Sequence, residues 1–391
     1  MHPYIRRPAF VLAAISTLSA LALATLAACN KKETADSGPA EIVVGEYSSL
    51  TGATATFGQS SHKGIVMAFD AINQGGGVLG RKIRLVTEDD QGKPEEAMTA
   101  VTKLINKDRV VTVLGEFASS NSLAAAPVAQ AARIPMISPG STNAKVTQVG
   151  DYIFRVCFID PFQGKVMAKF ASGSLKLTKV AVLRDIKSDY SVGLADHFIE
   201  AFTQGGGTIL ADESYSQGDK DFTAQLTTLK AKAPEAIFVP GYYTEVGLIA
   251  RQARKLGIKA VLLGGDGWDS ATLWEIGGEA LNGSFFSNHY SVDDPSPAIQ
   301  KFVADYKAKY NKEVPDAISA LGFDAALLLA NAIQRAGSAR PDSIRMALAA
   351  TKDFHGVTGS ITLDQNRDAV KSAVVLEVRD GKNVFKESVA P

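Results

Sequence analysis

IVVGEYSSLTGATATFGQSSHKGIVMAFDAIN, residues 42–73, contains the unit from which the fold is inferred. Residues 42–47 begin with three β-branched residues and predict a strand, a segment rich in Ser, Thr and Gly follows, and residues 62–73 have a helical pattern. The same alternation then recurs, with strands predicted at 82–88 and 110–115 and helices at 94–106 and 122–132. Short strands that alternate with longer helices are typical of βαβ units on a parallel sheet.

The pattern restarts in the second half of the chain. Strands are predicted at 179–185, 207–215, 236–241 and 260–265, and helices at 192–204, 222–231 and 246–256. Two α/β halves, each with its own sheet, explain this better than one sheet of about ten strands. After Asn288 the sequence predicts helices at 297–310, 317–336 and 342–350 and three short strands. These are too few strands for a third such domain, so we expect them to complete both halves.

The N-terminal segment indicates export. Arg6 and Arg7 precede an apolar run at 8–26 that ends in Leu-Ala-Ala-Cys at 26–29. A basic start, an apolar centre and small residues before a cleavage point are typical of a secretory signal. The ending resembles a bacterial lipobox, which would make Cys29 a lipidated anchor and residues 1–29 the signal peptide. The alternative is a single transmembrane anchor, for which the run is near the lower length limit. The polar residues 30–41 predict a flexible tether.

The composition and motifs exclude several classes of function. Basic and acidic residues number 41 each, so no basic field indicates nucleic acid. Without Cys29, Cys157 has no disulfide partner. The glycines at 75–80 spell G-x-G-x-x-G, but they follow a helix and precede a strand, the reverse of a dinucleotide fingerprint, and predict a turn. We read Asp89 and Asp90 as capping and loop hydrogen-bond acceptors. No metal-ligand spacing, nucleophile motif or cofactor motif occurs, so the sequence predicts neither an enzyme nor a bound metal.

Polar segments follow the carboxyl ends of several predicted strands. These segments are 48–52 with 57–58, 115–122 and 138–143 in the first half, and 188–190, 241–245 and 264–269 in the second. Ligands bind at this edge of an open α/β sheet. Hydroxyls and free N–H groups at helix starts suit a carboxylate, whereas an Asp among glycines with aromatic neighbours suits an ammonium. The two halves therefore favour opposite charges.

From about residue 42 to 378 the chain resembles the type I periplasmic solute-binding proteins of ABC transporters, the group that includes the leucine/isoleucine/valine-binding protein. The matching motifs are Leu50-Thr51-Gly52 with Phe57-Gly58, Asn73-x-x-Gly-Gly-Val-x-Gly with Asp89-Asp90, Gly115-x-x-x-Ser119-Ser120, Ile134-Pro135-x-Ile137-Ser138-Pro139-Gly140-Ser141-Thr142, Phe154-Arg155, Gly241-Tyr242-Tyr243-x-Glu245 and Gly265-Asp266-Gly267. The resemblance implies two doubly wound α/β lobes with a ligand cleft between them. The implied lobes are 42–159 with 290–357 and 160–289 with 358–391, joined by crossings near 159–160, 288–290 and 357–359.

The resemblance also implies a binding site. Ser119 and Thr142 would bind a ligand carboxylate, and the Gly140 carbonyl and the Asp266 side chain would bind its ammonium. Three aromatic residues complete the implied site: Phe57 lines the side-chain pocket, and Tyr190 and Tyr242 cover the ligand on closure. This sequence departs from the leucine-type protein in having Asp266 in place of Glu and Phe57 in place of Tyr. It also lacks that protein's cysteine pair, since Ala118 occupies one of the two positions.

We therefore expect an exported, monomeric, lipid-anchored binding component in the periplasm or cell envelope. It would capture a small amino acid, branched-chain or otherwise apolar, and deliver it to the permease subunits of an ABC transporter without any cofactor. An aromatic or aliphatic carboxylate or an amide is the alternative ligand class, and ligand sensing is the alternative role.

Overall fold

The computed structural model describes residues 41–391, so the predicted signal peptide, Cys29 and the tether up to residue 40 lie outside the described residues. The strands are β1 Ile42–Ser48, β2 Ile83–Asp89, β3 Val113–Leu114, β4 Met136–Ser138, β5 Ile153–Arg155, β6 Lys179–Asp185, β7 Thr208–Tyr215, β8 Ala236–Phe238, β9 Val261–Gly264, β10 Ser284–Asn288, β11 Phe354–Gly356, β12 Gly359–Leu363, β13 Ala369–Val370, β14 Ala373–Arg379 and β15 Lys382–Val389. The helices are α1 Ala55–Gln74, α2 Pro94–Asn106, α3 Ser119–Ala132, α4 Lys145–Gln148, α5 Asp160–Lys169, α6 Asp189–Gln204, α7 Thr223–Lys232, α8 Tyr243–Lys255, α9 Ala271–Gly277, α10 Pro297–Lys309, α11 Ala317–Ala336 and α12 Pro341–Ala349.

Two large sheets organise the described chain, which confirms the predicted fold class. The first has the order β2-β1-β3-β4-β5, and all its pairings are parallel. The second has the order β15-β14-β10-β9-β8-β6-β7, with β14 and β15 antiparallel to their neighbours. Strand β1 pairs with β2 from Ile42 opposite Ile83 to Ser48 opposite Asp89, so both strands end at the same edge. The polar segments that follow the strands are thereby gathered at one edge of each sheet.

Helix α11 forms much of the first lobe's core. It is long and apolar enough to cross a membrane by length and composition, but 78% of its most apolar window is buried inside the protein. It crosses α1 at two glycines: a Cβ on Gly64 would lie 1.9 Å from the Ser319 carbonyl oxygen, and one on Gly322 would lie 2.4 Å from that of Ser61. Only glycine permits this approach, so the two helices pack backbone to backbone.

The third predicted crossing is wrong by about one hairpin. Strands β11 to β13 form a small sheet of their own, and Ile361, Leu363 and Ala369 pack into the core beneath the first sheet. Asp368 lies 2.7 Å from the guanidinium of Arg155, which ends β5. The chain therefore changes lobe after Val370, not near 357–359. The alternation of apolar residues predicts that one face of the hairpin is buried, but it does not specify which lobe buries it.

The glycine-rich segment after α1 is a turn, as the sequence predicts. Gly76, Gly77 and Gly80 have φ values of +101°, +79° and +71°, in the region that favours glycine. The segment leads from the end of α1 into β2, so it does not present a helix N-terminus to a phosphate.

Candidate ligand-binding site between the lobes

The carboxyl edges of the two large sheets face each other across a cleft. The ring of Phe57, in α1, packs edge-on against the rings of Tyr242 and Tyr243 of the second lobe, at centroid distances of 5.6 and 4.8 Å. Ser120 donates its hydroxyl to the Asp189 carboxylate at 2.8 Å and accepts from the Asp189 backbone N–H at 3.0 Å. These contacts join segments that follow different sheets, so the lobes are closed on each other.

Hydroxyls and a helix start form the first lobe's side of the cleft. Ser119 begins α3 and is buried, and its hydroxyl accepts from the backbone N–H of Asn143 at 3.2 Å. Thr142 is fully buried, and its hydroxyl has no hydrogen-bond partner among the described residues. The first N–H groups of a helix lack intrahelical acceptors and attract anions. This side of the cleft therefore suits a carboxylate.

Arg155 holds the loop that carries Thr142. Its fully buried guanidinium donates to the Ser141 carbonyl and, at 2.9 Å, to the Asn143 carbonyl. Asp368, brought in by the hairpin that packs on this lobe, lies 2.7 Å from the same guanidinium. The planar group thus fixes two carbonyls that flank Thr142, because its donors have a rigid geometry.

Gly140 lies against an aromatic wall. A Cβ at this position would be 2.1 Å from a ring carbon of Phe117, so no other residue fits without moving the ring. Phe117 in turn packs on Phe57 at a centroid distance of 4.5 Å. The Gly140 backbone and the buried Phe57 ring are therefore joined through Phe117, and together they provide a dry, apolar surface.

The second lobe contributes a buried acid and two stacked tyrosines. One Asp266 carboxylate oxygen lies 3.1 Å from His289 Nε2, and the other has no hydrogen-bond partner among the described residues. The Tyr190 hydroxyl accepts from the Gly267 backbone N–H at 3.1 Å, and its ring stacks on Tyr242 at 5.2 Å with an interplanar angle of 6°. The tyrosines thus support the turn that carries Asp266.

Asp160 is a site residue that the sequence reasoning did not select. It begins α5 at the first crossing and is only 1% exposed; its carboxylate makes no hydrogen bond of good geometry to a described residue, although the Thr142 and Gln163 side chains lie close enough to lower its pKa. Its backbone N–H donates to the Thr142 carbonyl at 2.9 Å. Burial raises the pKa of Asp160 to about 8, and the Asp266 charge also raises it. The available signal was an acid located at a predicted crossing.

A second buried acid, Glu116, orders the loop before α3. It accepts from the backbone N–H and hydroxyl of Ser49, at 3.1 and 2.7 Å, and from the backbone N–H of Ala118. Burial first, and then the Asp90 charge, raises the pKa of Glu116 to about 8. Asp89 and Asp90 accept hydrogen bonds from loop N–H groups at 50–51 and 91–92, as the sequence predicts.

The seven predicted binding residues lie along one continuous set of contacts. Phe57 connects to Gly140 through Phe117 and to Tyr190 through Tyr242. Ser119 is hydrogen-bonded to Asn143, and the Thr142 carbonyl to the Asp160 N–H. Asp266 directly precedes Gly267 in the turn. Trp268 is a packing residue, because its indole N–H donates to the Val239 carbonyl at 3.0 Å in the second lobe's core.

Two α/β lobes with complementary polar groups at facing sheet edges are the arrangement of the type I periplasmic solute-binding fold. The periplasmic binding protein family model matches residues 41–383, and the chain belongs to this family.

Among related sequences, the Leu/Ile/Val-binding protein homolog 3 of Brucella melitensis is 32% identical over 352 residues, which cover 89% of this chain and 94% of that protein. The solved leucine-binding protein LivK of Thermotoga maritima is 42% identical with a TM-score of 0.86, covering 90% of this chain and 99% of that one. LivJ of Streptococcus pneumoniae, solved with isoleucine, is 36% identical with a TM-score of 0.86, covering 90% and 100%.

Proposed function

We propose that this chain captures a small apolar α-amino acid, with branched-chain amino acids as the favoured ligands, and delivers it to the permease of an ABC transporter. The observation that carries the proposal is the pair of buried acids at the cleft. Asp160 and Asp266 together present three buried carboxylate oxygens that make no hydrogen bond of good geometry to a described residue, and the nearby Thr142 and Gln163 side chains offset only part of the burial of Asp160. Buried charges are costly unless they are paired, and an α-ammonium has three N–H donors for such oxygens.

The proposed roles divide the ligand between the lobes. Ser119 and Thr142 donate to its carboxylate, whereas Asp160, Asp266 and the Gly140 carbonyl accept from its ammonium. The aromatic residues Phe57, Tyr190 and Tyr242, all buried, enclose its side chain. The buried cluster of Phe57 and Phe117 favours an apolar side chain because it offers no hydrogen-bonding atom. A ligand without a cation would leave Asp160 and one oxygen of Asp266 buried without a cationic partner, which disfavours simple aromatic or aliphatic carboxylates.

Export and delivery follow from the N-terminal segment and the family. We propose that Cys29 is lipidated and tethers a monomeric, cofactor-free binding protein to the cell envelope, with residues 30–41 as the connection. Ligand binding would favour the closed arrangement of the lobes, and the closed surface would be the form that the permease recognises. The relatives named for Leu/Ile/Val binding, and the isoleucine bound to the Streptococcus protein, support this ligand class.

Calorimetric titration of residues 30–391 tests the proposal with the twenty amino acids and a panel of aromatic and aliphatic carboxylates. We expect leucine, isoleucine or valine to bind. We also expect Asp266→Ala to weaken that binding by about 2–4 kcal/mol, because an ammonium would lose a buried partner. Asp221→Ala is the control, since this acid is exposed and its hydrogen bonds come from the side chain and backbone N–H of the nearby Thr223. Binding only of compounds without an amine would refute the amino-acid assignment.

A further inference from the structure

His289 connects the second crossing between the lobes to the acid proposed to bind the ligand's ammonium. Its side chain is fully buried, and Nε2 lies 3.1 Å from one carboxylate oxygen of Asp266. Its ring stacks on Phe158 at a centroid distance of 3.8 Å and an interplanar angle of 21°. Phe158 lies two residues before Asp160, at the first crossing. The imidazole of His289, which belongs to the second crossing, therefore packs against the first. The ring therefore has little freedom to turn away from Asp266.

The imidazole donates to the carboxylate in its neutral form. Burial lowers the pKa of His289, although the hydrogen bond to Asp266 opposes that change. A neutral imidazole carries one N–H, and a carboxylate oxygen can only accept from it. The proton must therefore be on Nε2, which leaves Nδ1 as an acceptor. Nδ1 has no hydrogen-bond partner among the described residues.

The two oxygens of Asp266 are thus in different situations. His289 engages Oδ2, whereas Oδ1 is buried and has no partner in the described part of the chain. The Asp266 backbone is also fixed, since its N–H donates to Gln163 Oε1 at 2.9 Å. Gln163 accepts in addition from the Ser287 hydroxyl, at 2.7 Å, in the strand that leads to His289. Both the carboxylate and its backbone are therefore tied to elements next to the crossings.

We propose that His289 is a positioning residue: it holds one oxygen of Asp266 from the crossing strand, so that the other oxygen is directed to the ligand's ammonium. This inference rests on the proposed amino-acid function. It adds that the orientation of the ammonium-binding acid depends on the geometry of the hinge. An opening motion that moves Phe158 at the first crossing would remove the ring on which the imidazole stacks, free His289 to turn, and weaken its hold on Asp266.

Two substitutions separate the hydrogen bond from the packing. His289→Gln keeps a neutral N–H donor at a similar reach but loses the aromatic stack, whereas His289→Phe keeps the stack on Phe158 and loses the donor. Calorimetry with L-leucine, on the chain 30–391, gives the affinity of each variant. We expect His289→Phe to raise the Kd about tenfold or more, and His289→Gln to remain within about threefold of the wild type. A purely structural role would give the opposite order, because stacking would then matter more than the donor.

A second histidine provides the matched control. His62 Nδ1 lies 2.7 Å from the Glu46 carboxylate in the first lobe. His62 is not part of the aromatic and carboxylate contacts described above for the cleft. His62→Phe should therefore leave the Kd for L-leucine unchanged. Thermal unfolding without ligand checks that each variant folds, and His289→Leu replaces His289→Phe if the latter does not.

The outcomes distinguish this inference from the proposed function. If the wild type binds no amino acid, or Asp266→Ala binds L-leucine as tightly as the wild type, the proposed amino-acid site fails and the role of His289 fails with it. If Asp266→Ala weakens binding while His289→Phe binds normally, only the positioning role is overturned. Equal losses in the Gln and Phe variants also overturn it, because they would show that keeping the N–H donor preserves binding no better than keeping the aromatic ring.

Discussion

Asp160→Asn should make the lobes close more readily without ligand while weakening the capture of the amino acid. In the closed arrangement Asp160 is 1% exposed, and the nearby Thr142 and Gln163 side chains offset only part of the effect of its burial. Its pKa rises from an ordinary value of 3.8 to about 8, chiefly through burial. Closure of an empty cleft must therefore bury a charge or take up a proton. The acid thus opposes closure until an ammonium arrives to pair with it.

The magnitude follows from the pKa. At pH 7 the difference between 7 and 3.8 corresponds to about 4 kcal/mol against closure of the empty cleft, at about 1.4 kcal/mol per pKa unit. An asparagine removes this charge penalty but leaves an unpaired amide, which costs about 1–3 kcal/mol. The net shift toward the closed form is therefore about 1–3 kcal/mol, or roughly five- to 150-fold in the closed-to-open ratio. The ligand also loses a charged partner worth about 1.5–3 kcal/mol, a value that is already net of desolvation, so its affinity should fall.

The pH dependence has a defined sign. Because the folded, closed form has the higher pKa, it binds a proton that the open form releases, so closure of the empty protein becomes easier as the pH falls from about 8 toward 4. Small-angle scattering of the ligand-free chain, measured across this range, reports closure as a smaller radius of gyration. The wild type should contract on acidification more than Asp160→Asn, and the variant should already be more compact at pH 7.

Glu116→Gln is the matched control for this experiment. Burial and the Asp90 charge raise the pKa of Glu116 to about 8 as well, but its hydrogen-bond partners, Ser49 and Ala118, both belong to the first lobe. The Glu116 charge also acts on Tyr242 of the second lobe, so the control should change the pH dependence of unfolding and shift the balance between open and closed forms less than Asp160→Asn does. Identical scattering profiles for the wild type and Asp160→Asn at every pH, together with an unchanged Kd for L-leucine, would refute the reasoning.

Two further predictions concern buried residues beneath the site. Arg155→Ala should lower the free energy of unfolding by about 3–5 kcal/mol in urea titrations, because Asp368 would lose its buried partner. Lys301→Ala, which removes an exposed ion pair with Asp305, is the control and should change it by less than about 1 kcal/mol. A similar cost for both variants would contradict the role of burial. Burial raises the pKa of the Cys157 thiol to about 12, so a thiol reagent at pH 8 should leave the native chain 30–391 unlabelled and modify one thiol in denaturant. Rapid labelling of the native protein would show that the thiol is accessible.

Local patterns were enough to predict most of the fold. The restart of the strand and helix alternation at residue 179 predicted two sheets, and the structure has them. The turn at 75–80 and the loop hydrogen bonds of Asp89 and Asp90 were also predicted. Each of these depends on neighbours within a few residues, or on a periodicity that repeats along one element. Such information is contained in a single sequence.

The pattern also led to the candidate site. The polar segments that follow the strands, together with the family resemblance, selected Ser119, Thr142 and Asp266 before any contact was known. Parallel strands bring their carboxyl ends to one edge, so residues far apart in the chain are expected to converge there.

Only the tertiary structure decided which distant groups pair inside the cleft. Asp160 and His289 read locally as a helix-start acid and an isolated histidine, and the hairpin at 359–370 reads the same whichever lobe buries it. Their roles depend on contacts over long stretches of chain: Asp160 with the Thr142 loop, His289 with Asp266, and Asp368 with Arg155. A sequence pattern specifies that a side chain is buried, but the cost of burying a charge depends on the partner that meets it. That partner is fixed only when the lobes pack together.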